Sequence, residues 1–400
     1  MTAPLAHLKI LDFSTLLPGP YATMMLADLG AEIIRIEAPN RPDLTRLLPP
    51  HSLDGQSAQH ALLNRNKRSL GLNLKAPAAV AIVQKLIVEQ GYDIIVEQFR
   101  PGVMARLGVG YEQLKELCPG LIFCSLTGYG QTGPYKDRAG HDVNYLALSG
   151  LLSFYGRSHS STHPPPPLPM QVADIGGGSL HLVIGLLAAV IRRSQTGEGA
   201  QVDISMHDGA LAWNIFGLTQ QLVGGENLTP ESHSLNGGSF YDIYETKDGR
   251  FLSVGALEPK FWQGFCQAIG REDLFVPGLN FEVTNQQRFK AEIRQVIQSQ
   301  PLAHWRDLFA QLDVCVEPVL TSEEAIHHPQ TQARNMIIEV PTGNGRSQQQ
   351  VASPIKLSDH TPAYGFSGVP LGQHGREILQ QLGYAYDEIQ ALYAQDVVAG

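Results

Sequence analysis

Two residues in neighbouring stretches carry side chains suited to moving a proton. His141 stands in Gly140-His141-Asp142-Val143-Asn144-Tyr145, and Asp174 in Ala173-Asp174-Ile175-Gly176-Gly177-Gly178. Histidine changes charge near neutral pH, and the preceding glycine allows close approach of a ligand. Asp174 opens a long apolar run that reads as a helix, where the macrodipole stabilises a carboxylate anion. The glycines behind it predict backbone N–H groups free of side chains, at Asp174, Gly176 and Gly177. Such donors hold an oxygen that gains negative charge during a reaction. Plainer readings stand beside these. The chain has 14 histidines, and most histidines are surface or satisfied core residues. An aspartate at a helix start also serves simply as an N-cap. Asp142 reads as structural. Glu258, ahead of Pro259, reads by itself as an exposed side chain.

The elements that must position these groups follow from periodicity. Residues 8–13 and 31–37 read as strands flanking a helix at 21–29, with Gly30 as its C-cap. That strand-helix-strand order predicts a parallel, Rossmann-like sheet. The first turn, Leu17-Pro18-Gly19-Pro20, lacks the Gly-x-Gly-x-x-Gly fingerprint, so no dinucleotide is inferred. Residues 41–59 read as a loop. A short strand follows in Asn64-Arg65-Asn66-Lys67-Arg68-Ser69-Leu70-Gly71-Leu72-Asn73-Leu74-Lys75, whose basic residues by themselves read as solvated. A helix at 76–89 and a strand at 92–97 lead to Phe99-Arg100-Pro101-Gly102-Val103-Met104-Ala105-Arg106, at a sheet edge where ligands bind. The strand at 121–126 and the glycine-rich loop at 127–134 precede His141. A stiff, proline-rich connection at 158–169 spaces His141 from Asp174. The helix from Asp174 runs to about Arg193, followed by a strand at 199–205 and a helical region at 208–223.

Composition turns polar near 224, where a second domain begins. Lys247-Asp248-Gly249-Arg250 reads as a hairpin turn. The predicted fold is α/β: a large Rossmann-like domain (1–223), a smaller α+β domain (224–330), and a linker with a C-terminal return to the large domain (331–400), ending in a helix at 375–382.

The chain has 400 residues, enough for roughly two to three domains. Its net charge of −9, from 29 basic and 38 acidic residues, argues against nucleic acid as partner. A few local cations still suffice to hold a phosphorylated small molecule. No run approaches the roughly 20 apolar residues that span a bilayer, and the N-terminus has no secretory pattern. Four cysteines without a Cys-x-x-Cys pair predict neither zinc nor disulfides. A cytoplasmic location is expected.

Several motifs, in order over nearly the whole chain, resemble the family III CoA-transferase superfamily and its α-methylacyl-CoA racemase branch. The Gly-His-Asp-x-Asn-Tyr run and the Asp-x-x-Gly-Gly run carry that resemblance, with the segment around Glu258. It implies that His141 and Asp174 move protons and that Glu258 orients or shares a proton with His141. It implies that Lys67, Arg68, Lys75, Arg100 and Arg106 contact coenzyme A, which is part of the substrate. It further implies an interlocked homodimer in which Glu258 meets His141 across subunits. The chain departs from the pattern at Ala38, where relatives carry an arginine that Arg41 would replace, and at Asn236, where an aspartate is usual.

The reaction so implied is racemisation alpha to an acyl-CoA thioester. One of His141 and Asp174 removes the α-proton, the helix start holds the enolate, and the other group returns a proton to the opposite face. No metal or redox cofactor is required. The alternative is CoA transfer between carboxylic acids, with Asp174 as nucleophile forming an aspartyl-CoA thioester. An inert acyl-CoA-binding protein is a third reading.

Overall fold

The computed structural model describes residues 3–52, 55–157, 164–343 and 345–400. Over these residues the chain forms two compact units. The first comprises Met1–Ser149, Pro169–Trp213 and Pro329–Gly400, and the second Gly150–Leu168 and Asn214–His328.

The first unit is built on β1 (Lys9–Asp12), α1 (Pro18–Asp28), β2 (Glu32–Glu37), α2 (Ala58–Leu63), β3 (Lys67–Leu72), α3 (Pro77–Gln90), β4 (Ile94–Glu97), α4 (Val103–Arg106), α5 (Tyr111–Leu117) and β5 (Ile122–Thr127). It continues with α6 (Asp142–Leu148), a π-helix (Ala173–Leu180) that runs on as α7 (His181–Thr196), β6 (Ala200–Ser205) and α8 (Met206–Trp213). The strands order as β3-β2-β1-β4-β5-β6, all parallel, and the short strand Val398–Ala399 pairs antiparallel on the outer side of β3. This is the doubly wound order expected from the first strand-helix-strand unit, and it reverses direction between β1 and β4. Leu11, Ile34, Leu70, Ile95 and Phe123 from the strands are buried with Ile82, Val83 and Leu86 of α3.

Element boundaries moved for identifiable reasons. α1 begins at Pro18 rather than residue 21, because prolines fit the first helical turn, where N–H groups have no intrahelical acceptor. The stretch 41–59 is not all loop: Leu44–Leu47 forms a 3₁₀ turn whose Thr45 N–H is accepted by Asp43 Oδ1 at 2.8 Å. The helical region expected at 208–223 is broken at Asn214, with α8 ending at Trp213 and a second stretch running from Ile215–Thr219 directly into the π-turn Gln220–Gly224. A further C-terminal helix, Tyr386–Ala394, follows Gly375–Gln381.

The expectation about membrane-length segments also needs correcting. Ala173–Thr196 is one continuous 24-residue helix with mean hydropathy 1.8 in its most apolar window, long and apolar enough to cross a bilayer. Its glycines, serine and histidine interrupt the apolar run without making it polar. Leu182, Val183, Leu186 and Ala189 on it are buried, and it packs against β5, β6 and α1 as a core helix of an α/β unit does.

The second unit has a three-stranded antiparallel sheet of Asp242–Glu245, Phe251–Val254 and Val316–Pro318. The hairpin expected at the Asp248-Gly249 pair joins the first two, with Gly249 at φ 70° and Thr246 N–H donating to Arg250 O at 2.8 Å. The helices Pro259–Ala268, Val283–Ile297 and Leu302–Phe309 complete an aromatic core in which Phe240 stacks on Trp262 at 3.9 Å. The Gly150–Leu168 stretch belongs to this unit although it lies in sequence inside the expected first domain. Arg157 holds it, pairing with Asp242 at 2.7 Å and Glu231 at 3.1 Å. Residues 158–163 of the proline-rich connection lie outside the described residues.

Candidate active site

His141 immediately precedes α6. Its N–H donates to Asn144 Oδ1 at 3.0 Å and its carbonyl accepts the Asn144 N–H at 2.8 Å, which fixes the backbone while the ring stays exposed without a capping hydrogen bond. Beneath it, the Tyr145 hydroxyl donates to Gly140 O at 2.6 Å, and Tyr129 meets the Tyr145 ring edge-on at 5.2 Å. Glycine is required at 128 as well as at 140. A Cβ at Gly128 would lie 2.6 Å from the Tyr145 hydroxyl, and one at Gly140 would lie 2.7 Å from its ring.

Asp174 sits in the first turn of the π-helix, one residue inside rather than at the N-cap. Its N–H donates to Asp142 Oδ1 at 3.0 Å, and the Ala173 N–H also donates to the Asp142 carboxylate. Asp142 thus ties the segment bearing His141 to the segment bearing Asp174. The Asp174 side chain is partly buried, and among the described residues its carboxyl group has no hydrogen-bond partner. Burial, and then the nearby Asp142 charge, push its pKa up to about 7. Burial also raises Asp142, while the two N–H donors oppose that shift. Tyr145 lies close enough to Asp174 that the aspartate charge adds to burial in pushing the phenol upward. Asp142 and Tyr145 stand in the Gly-His-Asp-x-Asn-Tyr run, but that run does not by itself give them this role. Asp142 reads from sequence as structural, and the fold gives that structural part a bearing on Asp174.

The oxyanion expectation is not met by the donors named for it. The Asp174 N–H is taken by Asp142. Gly176 and Gly177 are buried in the body of the π-helix, where their lack of Cβ serves helix packing. A Cβ on Gly176 would fall 2.1 Å from the Trp213 ring, and one on Gly177 would fall 2.9 Å from Met206 O. The glycines admit α8, and the charge stabilisation left at this helix start is that of its macrodipole.

The expected coenzyme contacts divide. Lys67 points into the core, with its side chain 0% exposed. Its ammonium donates to Thr23 Oγ1 at 2.6 Å, Pro20 O at 2.9 Å and Asp12 Oδ2 at 3.2 Å, so it has no reach to a phosphate. Burial lowers its pKa to about 8 against the pull of Asp12. Burial also disfavours the Asp12 anion, but Lys67 and Arg35 outweigh it and hold that carboxyl below its ordinary range. Arg68 is mostly buried and shared between Glu377 at 3.2 Å and Glu32 at 3.6 Å. Lys75, Arg100 and Arg106 are exposed. Lys75 follows β3, and Arg100 and Arg106 follow β4, all beyond the carboxyl ends of parallel strands. Arg41 is also exposed, one turn past Ala38.

Glu258 belongs to the second unit, exposed at the N-cap of Pro259–Ala268. In the same unit, Asn236 Nδ2 donates to Thr229 O at 3.1 Å and Phe154 O at 3.3 Å. An aspartate there would lose both donations, which accounts for asparagine at this departure. A cavity of about 520 Å³ in the first unit, lined by Arg46, Ser57, His60, Phe366, Val369 and His374 among others, contains none of the candidate residues. Among the described residues no cluster of three or more His, Cys, Asp or Glu is placed to hold a metal ion.

Comparison with known proteins places this geometry in a family. The human α-methylacyl-CoA racemase is 34% identical over 398 residues, covering 98% of this chain and 97% of the relative. The acetyl-CoA:oxalate CoA-transferase of Acetobacter aceti is 32% identical over 382 residues, covering 92% of each. The crystal structure of a CAIB/BAIF family protein from Brucella suis superposes with a TM-score of 0.82 at 26% identity, over 96% of this chain and 100% of that one. The family model for CoA-transferase family III matches residues 5–375, and the chain therefore belongs to CoA-transferase family III as one of its enzymes.

Proposed function

We propose that the protein is a 2-methylacyl-CoA racemase, inverting the carbon alpha to the thioester by proton transfer through an enolate. The observation that carries this reading is the Asp174 carboxyl group, without a hydrogen-bond partner among the described residues, joined through Asp142 to the segment bearing His141. With a pKa of about 7, both of its protonation states are populated at neutral pH. Asp174 therefore serves as base for one enantiomer and as acid for the other. His141 supplies the complementary step from the opposite face, with Glu258 orienting it from a second copy of the chain in a homodimer. Lys75, Arg100 and Arg106, with Arg41 in place of the arginine absent at 38, hold the phosphates of the coenzyme. The four cysteines are all free thiols, which fits a cytoplasmic setting.

The second reading, CoA transfer between carboxylic acids with Asp174 as nucleophile, is supported by relatives of similar identity that carry that activity. Incubation with one enantiomer of a 2-methylacyl-CoA in deuterated water, without an acceptor acid, separates the two. Deuterium entry with loss of optical purity, falling at least about a hundredfold in His141→Ala, is expected for the racemase. Movement of CoA to an added carboxylic acid without exchange would establish the transferase. Binding without either reaction would leave an acyl-CoA carrier.

A further inference from the structure

The strand order reverses between β1 and β4, and such a switch point opens a crevice beyond the strand ends. Its two sides are the β1–α1 loop and the Gln98-Phe99-Arg100 loop after β4. The first turn of α1, directly after the first loop, is tied to the second where Gly19 N–H donates to Gln98 Oε1 at 3.2 Å. In the β1–α1 loop, Leu16 has φ 60°. A bulky side chain seldom adopts this left-handed conformation, and it persists only where the surroundings impose it.

What imposes it here is Asp43. Its Oδ2 accepts the Leu16 N–H at 2.9 Å, across 27 residues of sequence. Asp43 is itself held from three directions. Its side chain is fully buried and paired with Arg35. Its Oδ1 accepts the Thr45 N–H at 2.8 Å, and its own N–H donates to Glu37 Oε1 at 2.8 Å. Glu37 is anchored in turn by Arg46 at 2.9 Å. The end of β2 and the turn after it thus form a rigid mount whose outward contact is the backbone of Leu16. Such a mount fits a wall that must keep its shape against a ligand.

We propose that Asp43 is a positioning residue for acyl-CoA binding, holding Leu16 in its left-handed turn so that the β1–α1 loop forms one wall of the crevice between β1 and β4. This rests on the acyl-CoA reading above. The test measures the affinity of free CoA by calorimetry, with KM and kcat for the acyl-CoA. Asp43→Ala, which removes the acceptor, should weaken CoA binding and raise KM by about tenfold, roughly the effect of one lost hydrogen bond, with kcat changed less than about twofold. Asparagine populates the left-handed region readily. Leu16→Asn added to Asp43→Ala should therefore recover a large part of the lost affinity, which general loosening around Arg35 would not allow. Leu16→Pro leaves the Asp43 mount intact but removes the N–H and forbids positive φ. It should reproduce the loss even if Asp43→Ala folds poorly. Parent-like CoA affinity in Leu16→Pro, or in folded Asp43→Ala, would overturn the clamp alone. A parent protein that does not bind CoA would overturn the acyl-CoA reading and the clamp with it.

Discussion

The carboxylate of Asp142 accepts the Asp174 N–H and, by its charge, opposes ionisation of the Asp174 carboxyl group. The two effects are separable, because asparagine keeps an acceptor oxygen but carries no charge. In Asp142→Asn, burial still raises the Asp174 pKa, but the second cause is gone, so it falls from about 7. With Asp174 as base, activity requires the ionised form and rises with pH through that value. The rising limb of kcat against pH should therefore move to lower pH, with the maximal rate within about fivefold of the parent. A limb that stays in place would mean that another group controls it. Lys67 teaches a related lesson. A lysine beside an arginine in a basic stretch becomes a core residue because Asp12 waits two strands away, at the end of β1, and the buried pair leaves it no free proton donor for a ligand.

At the scale of elements, the paired helix starts depend on how closely the π-helix and α8 approach. Alanine at 176 would gain about 1 kcal/mol of helix propensity. Its Cβ would also fall 2.1 Å from the Trp213 ring, and overpacking of that kind costs about 1–3 kcal/mol. The clash should win, so Gly176→Ala is expected to lower the melting temperature. Combining it with Trp213→Ala should remove or reverse the cost of the glycine substitution. Equal penalties with and without Trp213 would show that the glycine serves something other than this contact. π-winding concentrates at functional sites in other proteins, and here Asp174 lies within it.

At the scale of the whole molecule, the chain passes between its two units four times, at 149/150, 168/169, 213/214 and 328/329. His141 and Asp174 lie in one unit and Glu258 in the other. A site shared between copies predicts complementation. Co-expressed His141→Ala and Glu258→Ala chains should form heterodimers with one intact site, restoring about a quarter of parental activity on random pairing. Inactivity of the mixture, or a fully active monomer in sedimentation, would place the site within one chain.

Much of this was legible locally. Strand and helix alternate with clear periodicity from residue 8 to 205, so the parallel α/β unit follows from short-range pattern and the handedness of crossovers. The Asp248-Gly249 turn, and the types of His141 and Asp174 in their motifs, are equally local. Side-chain direction and long-range partners are not. Only the folded chain turns Lys67 inward, gives Gly176 and Gly177 to α8 instead of an oxyanion, and fastens Gly150–Leu168 to the second unit through Arg157. It alone brings Asp142 onto the backbone of Asp174, 32 residues away. Periodicity specifies which face of an element is apolar. Which buried polar group satisfies which other depends on contacts that exist only once the sheet has closed over them.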